Sequence, residues 1–167
     1  MGKDLLTVWY NKLPDDNYTI LCIEEVFSFH LPGIPIPFIG AMDLIEQDEV
    51  GTIIITDFKT SGKSYSVADV DQNQQLTLYQ MAIKSMGYEN REVLLKFDTF
   101  IKTKVPKFEV YWTTRSELDE HRLIRKANQV WDGIQKGVFI PNDTSWKCKN
   151  CSYAQACNEW FQRRIAS

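Results

Sequence analysis

Two apolar runs that each end on an aspartate constrain the fold of this chain most strongly. The run Ile39–Met42 leads into Asp43, and the run Ile53–Thr56 leads into Asp57. Because successive strand side chains alternate between faces, Asp57 and Lys59 share one face, about 7 Å apart along the strand. Charged groups at the end of a buried strand are costly unless they are paired or bind a metal. The pattern therefore predicts either a divalent metal that activates water beside a phosphate or a salt-bridged strand end.

The pattern of apolar residues predicts an α/β fold with one central sheet flanked by helices. Runs rich in β-branched and aromatic residues predict strands, at 18–29, 38–46, 52–58, 92–101 and 107–113. Short links between the first three favour an antiparallel meander. A helix predicted at 69–86 crosses to the fourth strand and makes the sheet mixed. A further helix is expected at 116–135, and one or two helical turns within 1–12.

Size and composition predict one ordinary globular domain covering residues 1–167. The chain has 44% apolar and 25% charged residues and a net charge of −3, which argues against a strongly basic protein that coats nucleic acid. No run approaches the roughly 18 to 20 apolar residues of a membrane span, and no signal segment opens the chain. We therefore expect a cytoplasmic protein with no membrane contact.

Three of the four cysteines lie close together in a carboxyl-terminal tail, which we place at 145–160. In a cytosolic chain, the clustering of Cys148, Cys151 and Cys157 favours metal binding over disulfides. A tetrahedral zinc site and a four-iron cluster each need a fourth ligand. Cys22 falls inside the first predicted strand, where a buried thiol is the simpler interpretation. An iron–sulfur cluster, zinc, and free or oxidised thiols therefore stay open as alternatives.

Four motifs follow one another along the chain in a recognisable order: Gly40-Ala-Met-Asp43, Asp57-Phe-Lys59, Gln75-Leu-Thr-Leu-Tyr79 and Cys148-x2-Cys151-x5-Cys157. They are similar to the G-x-x-D, D-x-K and Q-x-x-x-Y motifs and the cysteine tail of the PD-(D/E)XK nuclease superfamily. The resemblance is to the RecB-like branch, including AddB and the CRISPR-associated iron–sulfur nucleases. Each motif alone is short and common, but the ordered set spans about residues 18–160. The resemblance implies a restriction-endonuclease-like core.

The resemblance implies a role for each motif residue. Asp43, Asp57 and the Phe58 carbonyl would hold Mg²⁺ or Mn²⁺, ions that prefer hard oxygen ligands. Lys59 would orient or help deprotonate the attacking water and offset charge at the phosphate. Gln75 and Tyr79 lie one helical turn apart and share a face that would look toward the metal. Without the resemblance, a partly buried helix seam accounts for these two residues equally well.

Many relatives carry a glutamate on the strand before G-x-x-D, and this chain offers two candidates. Glu25 alternates with Ile23, Phe27 and Phe29 and is therefore predicted on the buried face. Glu24 would then point away into solvent. We expect Glu25 to be the additional metal ligand that the resemblance implies.

The chain departs from the family pattern in two places. RecB-like nucleases carry a histidine ahead of the first strand, but this chain has only His30 and His121. The iron–sulfur members also carry a fourth cysteine far upstream, which leaves the fourth ligand of a 4Fe–4S cluster unidentified. Both gaps predict that an amino-terminal helical part is missing and that the chain is a fragment or a short homologue.

The resemblance implies a metal-dependent DNA nuclease, and specifically an exonuclease. Its setting would be DNA recombination, repair, or phage- or CRISPR-related processing, with a helicase or recombination protein as partner. The alternative is a catalytically inactive RecB-like domain that binds DNA or acts as a scaffold, although the three charged motif residues argue against it. A redox or metal module centred on the cysteines leaves the strand-end acids unexplained. The oligomeric state does not follow from the sequence.

Overall fold

Five strands form one mixed sheet in the computed structural model, which describes residues 2–12 and 17–162. Their order in the sheet is their order in the sequence. The strands β3 and β4 pair in parallel, and the other neighbours pair antiparallel. The strand bounds are β1 Thr19–Phe29, β2 Phe38–Gln47, β3 Ile53–Ser61, β4 Val93–Ile101 and β5 Lys107–Thr113. The predicted meander, the crossover and the mixed sheet are confirmed.

The chain also forms five α-helices, one short π-helical turn and one short 3₁₀ turn within the described residues. The described helices are α1 Gly2–Tyr10, α2 Val67–Asp71, α3 Gln74–Ile83, α4 Glu117–Gln135 and α5 Ala154–Gln162. A π-helical turn at Lys84–Tyr88 follows α3, and a 3₁₀ turn at Trp146–Asn150 precedes α5. The predicted α/β fold with a restriction-endonuclease-like core is thereby confirmed.

The centre of the sheet is buried on both faces. Ile53, Ile54 and Ile55 of β3 are each at most 1% exposed, and Leu95 and Phe97 of β4 are fully buried. Strands buried on both faces read as continuous apolar runs, as in parallel sheets. The Ile-Ile-Ile run therefore leads from this buried centre to Asp57. The prediction that Asp57 ends its strand is wrong, because β3 stays paired with β4 as far as Ser61.

The helix predicted at 69–86 is wrong as a single element, because the chain forms α2 and α3 with a break between them. Ser66 and Asp69 form a capping box at the start of α2. The Asn73 side chain accepts the backbone N–H of Gln75 at 2.9 Å and begins α3 as its N-cap. The helical spacing of apolar residues continues across the break between α2 and α3. In the sequence, only the capping residues show where the break lies.

The alternation predicted along β1 holds for part of the strand. Phe27 and Phe29 are buried, at 6% and 9% exposed, whereas Ile23 is 66% exposed. Glu24, next to Ile23, has a φ of 53°, in the left-handed region that non-glycine residues rarely occupy. The prediction that Ile23 shares the buried face is therefore wrong.

The chain divides into two compact units, Met1–Asn128 and Gln129–Ser167. The first contains the whole sheet together with α1, α2 and α3. The second contains the carboxyl-terminal part of α4, the 3₁₀ turn and α5. None of the described helices is both long and apolar enough to cross a membrane.

Candidate active site

Asp57 lies at the centre of a hydrogen-bonded group in the middle of β3, four residues before the strand ends at Ser61. Asp57 is 2% exposed. One carboxylate oxygen, Oδ2, lies 2.6 Å from the Lys59 ammonium. The other, Oδ1, accepts the side-chain N–H of Gln75 at 2.8 Å and lies 3.1 Å from the Tyr79 hydroxyl. We call these four residues the Asp57 cluster.

Helix α3 supplies two members of the Asp57 cluster from one face. Gln75 and Tyr79 are one turn apart, and Gln75 Nε2 donates to the Tyr79 hydroxyl at 2.7 Å. Gln75 Oε1 accepts from Lys59 Nζ at 2.8 Å. A single amide therefore fixes the carboxylate, the ammonium and the hydroxyl, while Lys59 also lies 5.3 Å from the centroid of the Phe97 ring.

Asp43 joins the site from β2. The ladder between β2 and β3 ends at the pair Leu44 and Thr56. At that point the Asp43 carboxylate accepts the backbone N–H of Phe58 at 2.7 Å. The Asp43 charge also contributes to raising the pKa of Asp57. The structure thus places both predicted aspartates next to the point where the β2–β3 ladder ends.

Gly40 supports the site through close packing. A Cβ at this position would lie 2.6 Å from Cζ of the Phe27 ring. That ring makes an edge contact with the Tyr79 ring, with centroids 5.9 Å apart. Any larger residue at position 40 would push Phe27 against Tyr79, which explains the glycine in physical terms.

Burial governs the protonation of the Asp57 cluster. Desolvation raises the pKa of Asp57, the Lys59 contact opposes that shift, and the nearby Asp43 charge adds to it. Desolvation and then the Asp57 charge raise the pKa of Tyr79 well above its ordinary value. The Tyr79 hydroxyl is therefore a neutral donor, which reaches either Asp57 Oδ1 or the Ala41 carbonyl at 2.9 Å.

The oxygen atoms at this site fit a hard divalent cation. Mg²⁺ is usually held by one or two carboxylates, with water and substrate phosphate completing its shell. Asp43 and Asp57 supply two carboxylates, and Phe58 adds a backbone carbonyl between Asp57 and Lys59. A cation here would also offset the desolvated negative charge of Asp57. Among residues 2–12 and 17–162, no group of three or more histidine, cysteine or acidic side chains gathers around one point.

Glu25 is not joined to the Asp57 cluster by any interaction found within the described residues. It pairs with Met42 across the β1–β2 ladder. Partial desolvation and then the neighbouring Glu25 carboxylate raise the pKa of the Cys22 thiol. The structure therefore places Glu25 beside Cys22, and its predicted role as a metal ligand stays a prediction.

The cysteine tail does not gather into a ligand set in the described part of the chain. Cys148, Cys151 and Cys157 are free, and Cys151 is exposed. The Cys148 thiol donates to the Asn142 carbonyl at 3.4 Å. This arrangement does not fit a four-thiolate cluster, and the iron–sulfur prediction gains no support from it.

Sequence reasoning missed two residues that hold α3 in place. Arg115 is 8% exposed and uses its guanidinium to bond the backbone carbonyls of Val70 and Asn73, at 2.8 and 3.1 Å. The Asn73 side chain caps α3 immediately before Gln75. The N-cap signal of Asn73 could have been found from the sequence. The role of Arg115 could not, because an arginine in a polar loop gives no sign of burial.

The family comparison agrees with this geometry. The sequence model of the PD-(D/E)XK nuclease superfamily matches residues 5–158 of the chain. The chain therefore belongs to the PD-(D/E)XK nuclease superfamily. No protein of curated function matches the chain in sequence.

Two solved structures share this fold at low sequence identity. A protein from Eubacterium rectale with a provisional exonuclease assignment superposes with a TM-score of 0.52 and 11% identity, over 99% of this chain and 60% of its own length. The protein SSO0001 superposes with a TM-score of 0.53 and 19% identity, over 95% of this chain and 68% of its own length. The chain thus spans about 60% of the length of the first of these proteins.

Proposed function

We propose that this chain is a DNA nuclease that uses Mg²⁺ or Mn²⁺ to hydrolyse phosphodiester bonds. The observation that carries the proposal is the Asp57 cluster, with Asp43 beside it where the β2–β3 ladder ends. Carboxylates, an ammonium and hard oxygen ligands are the groups that such hydrolysis needs. A bound cation would polarise the phosphate and supply a more acidic water. The chain's own residues position the groups around it.

Lys59 acts as a charged donor in this proposal. Its Nζ lies 2.6 Å from Asp57 Oδ2. Gln75 Oε1 accepts from the same Nζ at 2.8 Å. Lys59 is therefore held in place to orient the attacking water and to offset the negative charge that develops on the phosphate.

The reaction breaks one bond and forms one bond at phosphorus. The water oxygen forms a new P–O bond, and the bond from phosphorus to the leaving sugar oxygen breaks. The water proton passes to solvent, and a solvent proton completes the leaving hydroxyl. Lys59 stabilises the charge during this in-line displacement.

The variants Asp57→Asn and Lys59→Met test the proposal directly. Each preserves the approximate shape of its side chain but removes its charge, so we expect DNA cleavage with Mn²⁺ to fall about 100-fold or more. The matched control is the exposed pair Asp132 and Lys136, whose charged atoms lie 2.7 Å apart in a surface salt bridge. Asp132→Asn and Lys136→Met should leave the cleavage rate unchanged.

The same assay separates a nuclease from a DNA-binding scaffold. Retained DNA binding without metal-dependent loss of substrate by the unaltered chain would support the scaffold. Cleavage that survives both Asp57→Asn and Lys59→Met would defeat the proposed site. Chelation of the metal with EDTA should stop cleavage by the unaltered chain.

We further propose exonuclease activity of the RecB-like type. The Q-x-x-x-Y spacing of Gln75 and Tyr79 supports the branch, and the provisional assignment of the Eubacterium rectale protein supports exonuclease action. Such an enzyme requires a DNA end, so it should degrade linear duplex or single-stranded DNA but not closed circular DNA. Recombination or repair, with a helicase partner, is the setting that this branch suggests. Equal cleavage of circular and linear DNA would replace the exonuclease proposal with an endonuclease.

A further inference from the structure

A pocket of about 380 Å³ lies on the sheet face opposite the Asp57 cluster. Phe58 lines it and alternates along β3 with Asp57 and Lys59, so it points to the other face. The pocket's volume falls within the range of small-molecule sites. We call it the rear pocket; the residues that define it in the argument below are Trp9, Lys12, Phe58, Lys96, Asp98 and Trp112.

A buried ion pair lines the rear pocket. The Lys96 and Asp98 side chains are 10% and 9% exposed, and Lys96 Nζ lies 3.6 Å from Asp98 Oδ2. The same ammonium lies 5.2 Å from the centroid of the Trp112 ring. The other carboxylate oxygen, Asp98 Oδ1, is buried and has no hydrogen-bond partner in the described part of the chain. Leaving such an atom unpaired is costly, so turning the carboxylate toward a donor on a ligand would be favourable.

The rear pocket also carries an unpaired donor. The indole N–H of Trp9 is buried and meets no acceptor within residues 2–12 and 17–162. Indole nitrogen only donates, whereas a carboxylate only accepts. The terminal torsion of an aspartate is soft, so the Asp98 carboxylate can turn to present either oxygen. The pocket therefore combines one acceptor and one donor.

The walls of the rear pocket are mainly flat aromatic rings. Trp9, Phe58, Phe108 and Trp112 line it, and Phe58 and Trp112 are 39% and 45% exposed. Aromatic side chains with accessible rings favour stacking with planar ligands. Base–aromatic stacking is worth about 1–3 kcal/mol per base and tolerates any sequence.

The acceptor, the donor and the aromatic walls of the rear pocket together favour one class of ligand over others. A guanidinium only donates and would leave the Trp9 N–H unpaired, and a phosphate only accepts and would leave Asp98 unpaired. A nucleobase carries donors and acceptors on one planar edge and has two faces for stacking. The charges at the pocket are balanced, since two lysines and two acids line it: Lys12, Lys96, Glu46 and Asp98. A neutral base is therefore better suited to the pocket than a charged group.

We propose that the rear pocket binds a nucleobase between its aromatic walls, with Asp98 accepting from the base and Trp9 donating to it. Lys12, whose ammonium donates to the Phe108 carbonyl at 3.1 Å, would face the attached phosphate. The base belongs either to a free nucleotide or to a DNA strand that passes behind the sheet. This inference goes beyond the proposed nuclease activity and does not depend on cleavage.

Binding without cleavage tests the proposal. The four deoxynucleoside 5′-monophosphates and a single-stranded pentanucleotide are titrated in EDTA, and tryptophan fluorescence and calorimetry report binding. We expect saturable binding.

Val110→Trp, which fills the pocket from β5 without altering its polar groups, should weaken binding about tenfold or more. Trp9→Phe, which preserves a ring but removes the donor, should weaken binding about fivefold. Trp146→Phe, which removes an indole that is 82% exposed, is the matched control and should have no effect.

The outcomes are separable. Binding of a monophosphate alone assigns the pocket to a free nucleotide, and binding of the pentanucleotide assigns it to a base within a strand. Either result supports the proposal if Val110→Trp and Trp9→Phe weaken the binding. Absence of saturable binding overturns the proposal, and so does binding that both pocket variants leave unchanged. Circular dichroism checks that Val110→Trp is folded. If it is not, Trp9→Phe alone decides the outcome.

Discussion

Gln75 determines the geometry of the candidate site at the residue scale, because its one amide group contacts three functional side chains. The amide oxygen accepts from Lys59, and the amide nitrogen donates to Asp57 and Tyr79. The motif residues could be predicted from the sequence because the four motifs together, in their order, resemble those of a known family. The identity of each hydrogen bond could not, because it depends on where α3 packs against β3. The left-handed Glu24 also left no signal in the sequence.

The Tyr79 hydroxyl offers a test at this scale. Tyr79→Phe removes the hydroxyl group that accepts from Gln75 and reaches Asp57 Oδ1, but it retains the ring that packs on Phe27. We expect the free energy of unfolding to fall by about 1 kcal/mol and the DNA cleavage rate to fall up to about tenfold. The control is Tyr153→Phe, at a tyrosine that is 77% exposed. An unchanged cleavage rate in Tyr79→Phe would show that the hydroxyl does not position Asp57.

Helix α3 is the element on which the site depends, and its start is fixed by two side chains. The Asn73 side chain accepts backbone N–H groups at the first turn. Arg115 bonds the carbonyls of Val70 and Asn73 and so joins the end of α2 to the start of α3. Periodicity predicts a helix here, but it does not locate the break, because the apolar positions continue across it. The strands were predicted more accurately, since each is a long β-branched or aromatic run between turn residues.

The cap of α3 should contribute measurably to stability and to cleavage. Asn73→Ala removes the side-chain acceptor, and we expect the free energy of unfolding to fall by about 1 kcal/mol. Because Gln75 is the second residue after the cap, the cleavage rate should fall as well. Asn73→Asp retains an acceptor oxygen and should restore both quantities. Denaturant unfolding and the cleavage assay measure the two effects. A stable Asn73→Ala variant with full activity would contradict the role of the cap.

The buried arginine gives a second prediction for this element. Arg115 donates to Thr77, Thr113 and Thr114 as well as to the two carbonyls at the α2–α3 junction. Arg115→Met would leave buried acceptors unpaired, so we expect the free energy of unfolding to fall by about 3 kcal/mol. Arg122→Met, at an exposed arginine in a surface ion pair, is the matched control and should cost less than about 1 kcal/mol. Equal stabilities for the two variants would show that the Arg115 contacts are not needed.

At the scale of the whole molecule, the α/β class and the sheet order follow from the run of strand and helix patterns. The division into the units Met1–Asn128 and Gln129–Ser167 does not, because no proline- or glycine-rich linker separates them in the sequence. The cysteine tail is the clearest difference between expectation and structure. Its spacing suggests a shared ligand set, yet Cys148, Cys151 and Cys157 remain separate free thiols in the described chain.

The proposal that residues 1–167 form one nuclease domain, with 145–160 as its tail, makes a prediction at this scale. A single domain should unfold in one cooperative transition, with equal calorimetric and van't Hoff enthalpies. Differential scanning calorimetry of the full chain measures both enthalpies. Two resolved transitions would show instead that the units Met1–Asn128 and Gln129–Ser167 are separate domains.

The most direct test of the proposed chemistry is the position of a bound cation. Crystals of the full chain soaked in Mn²⁺ should show one anomalous scattering peak within bonding distance of an Asp43 oxygen, an Asp57 oxygen and the Phe58 carbonyl. The Lys59 ammonium should lie beside it. A peak that contacts neither aspartate, or no peak at saturating Mn²⁺, would contradict the proposed site.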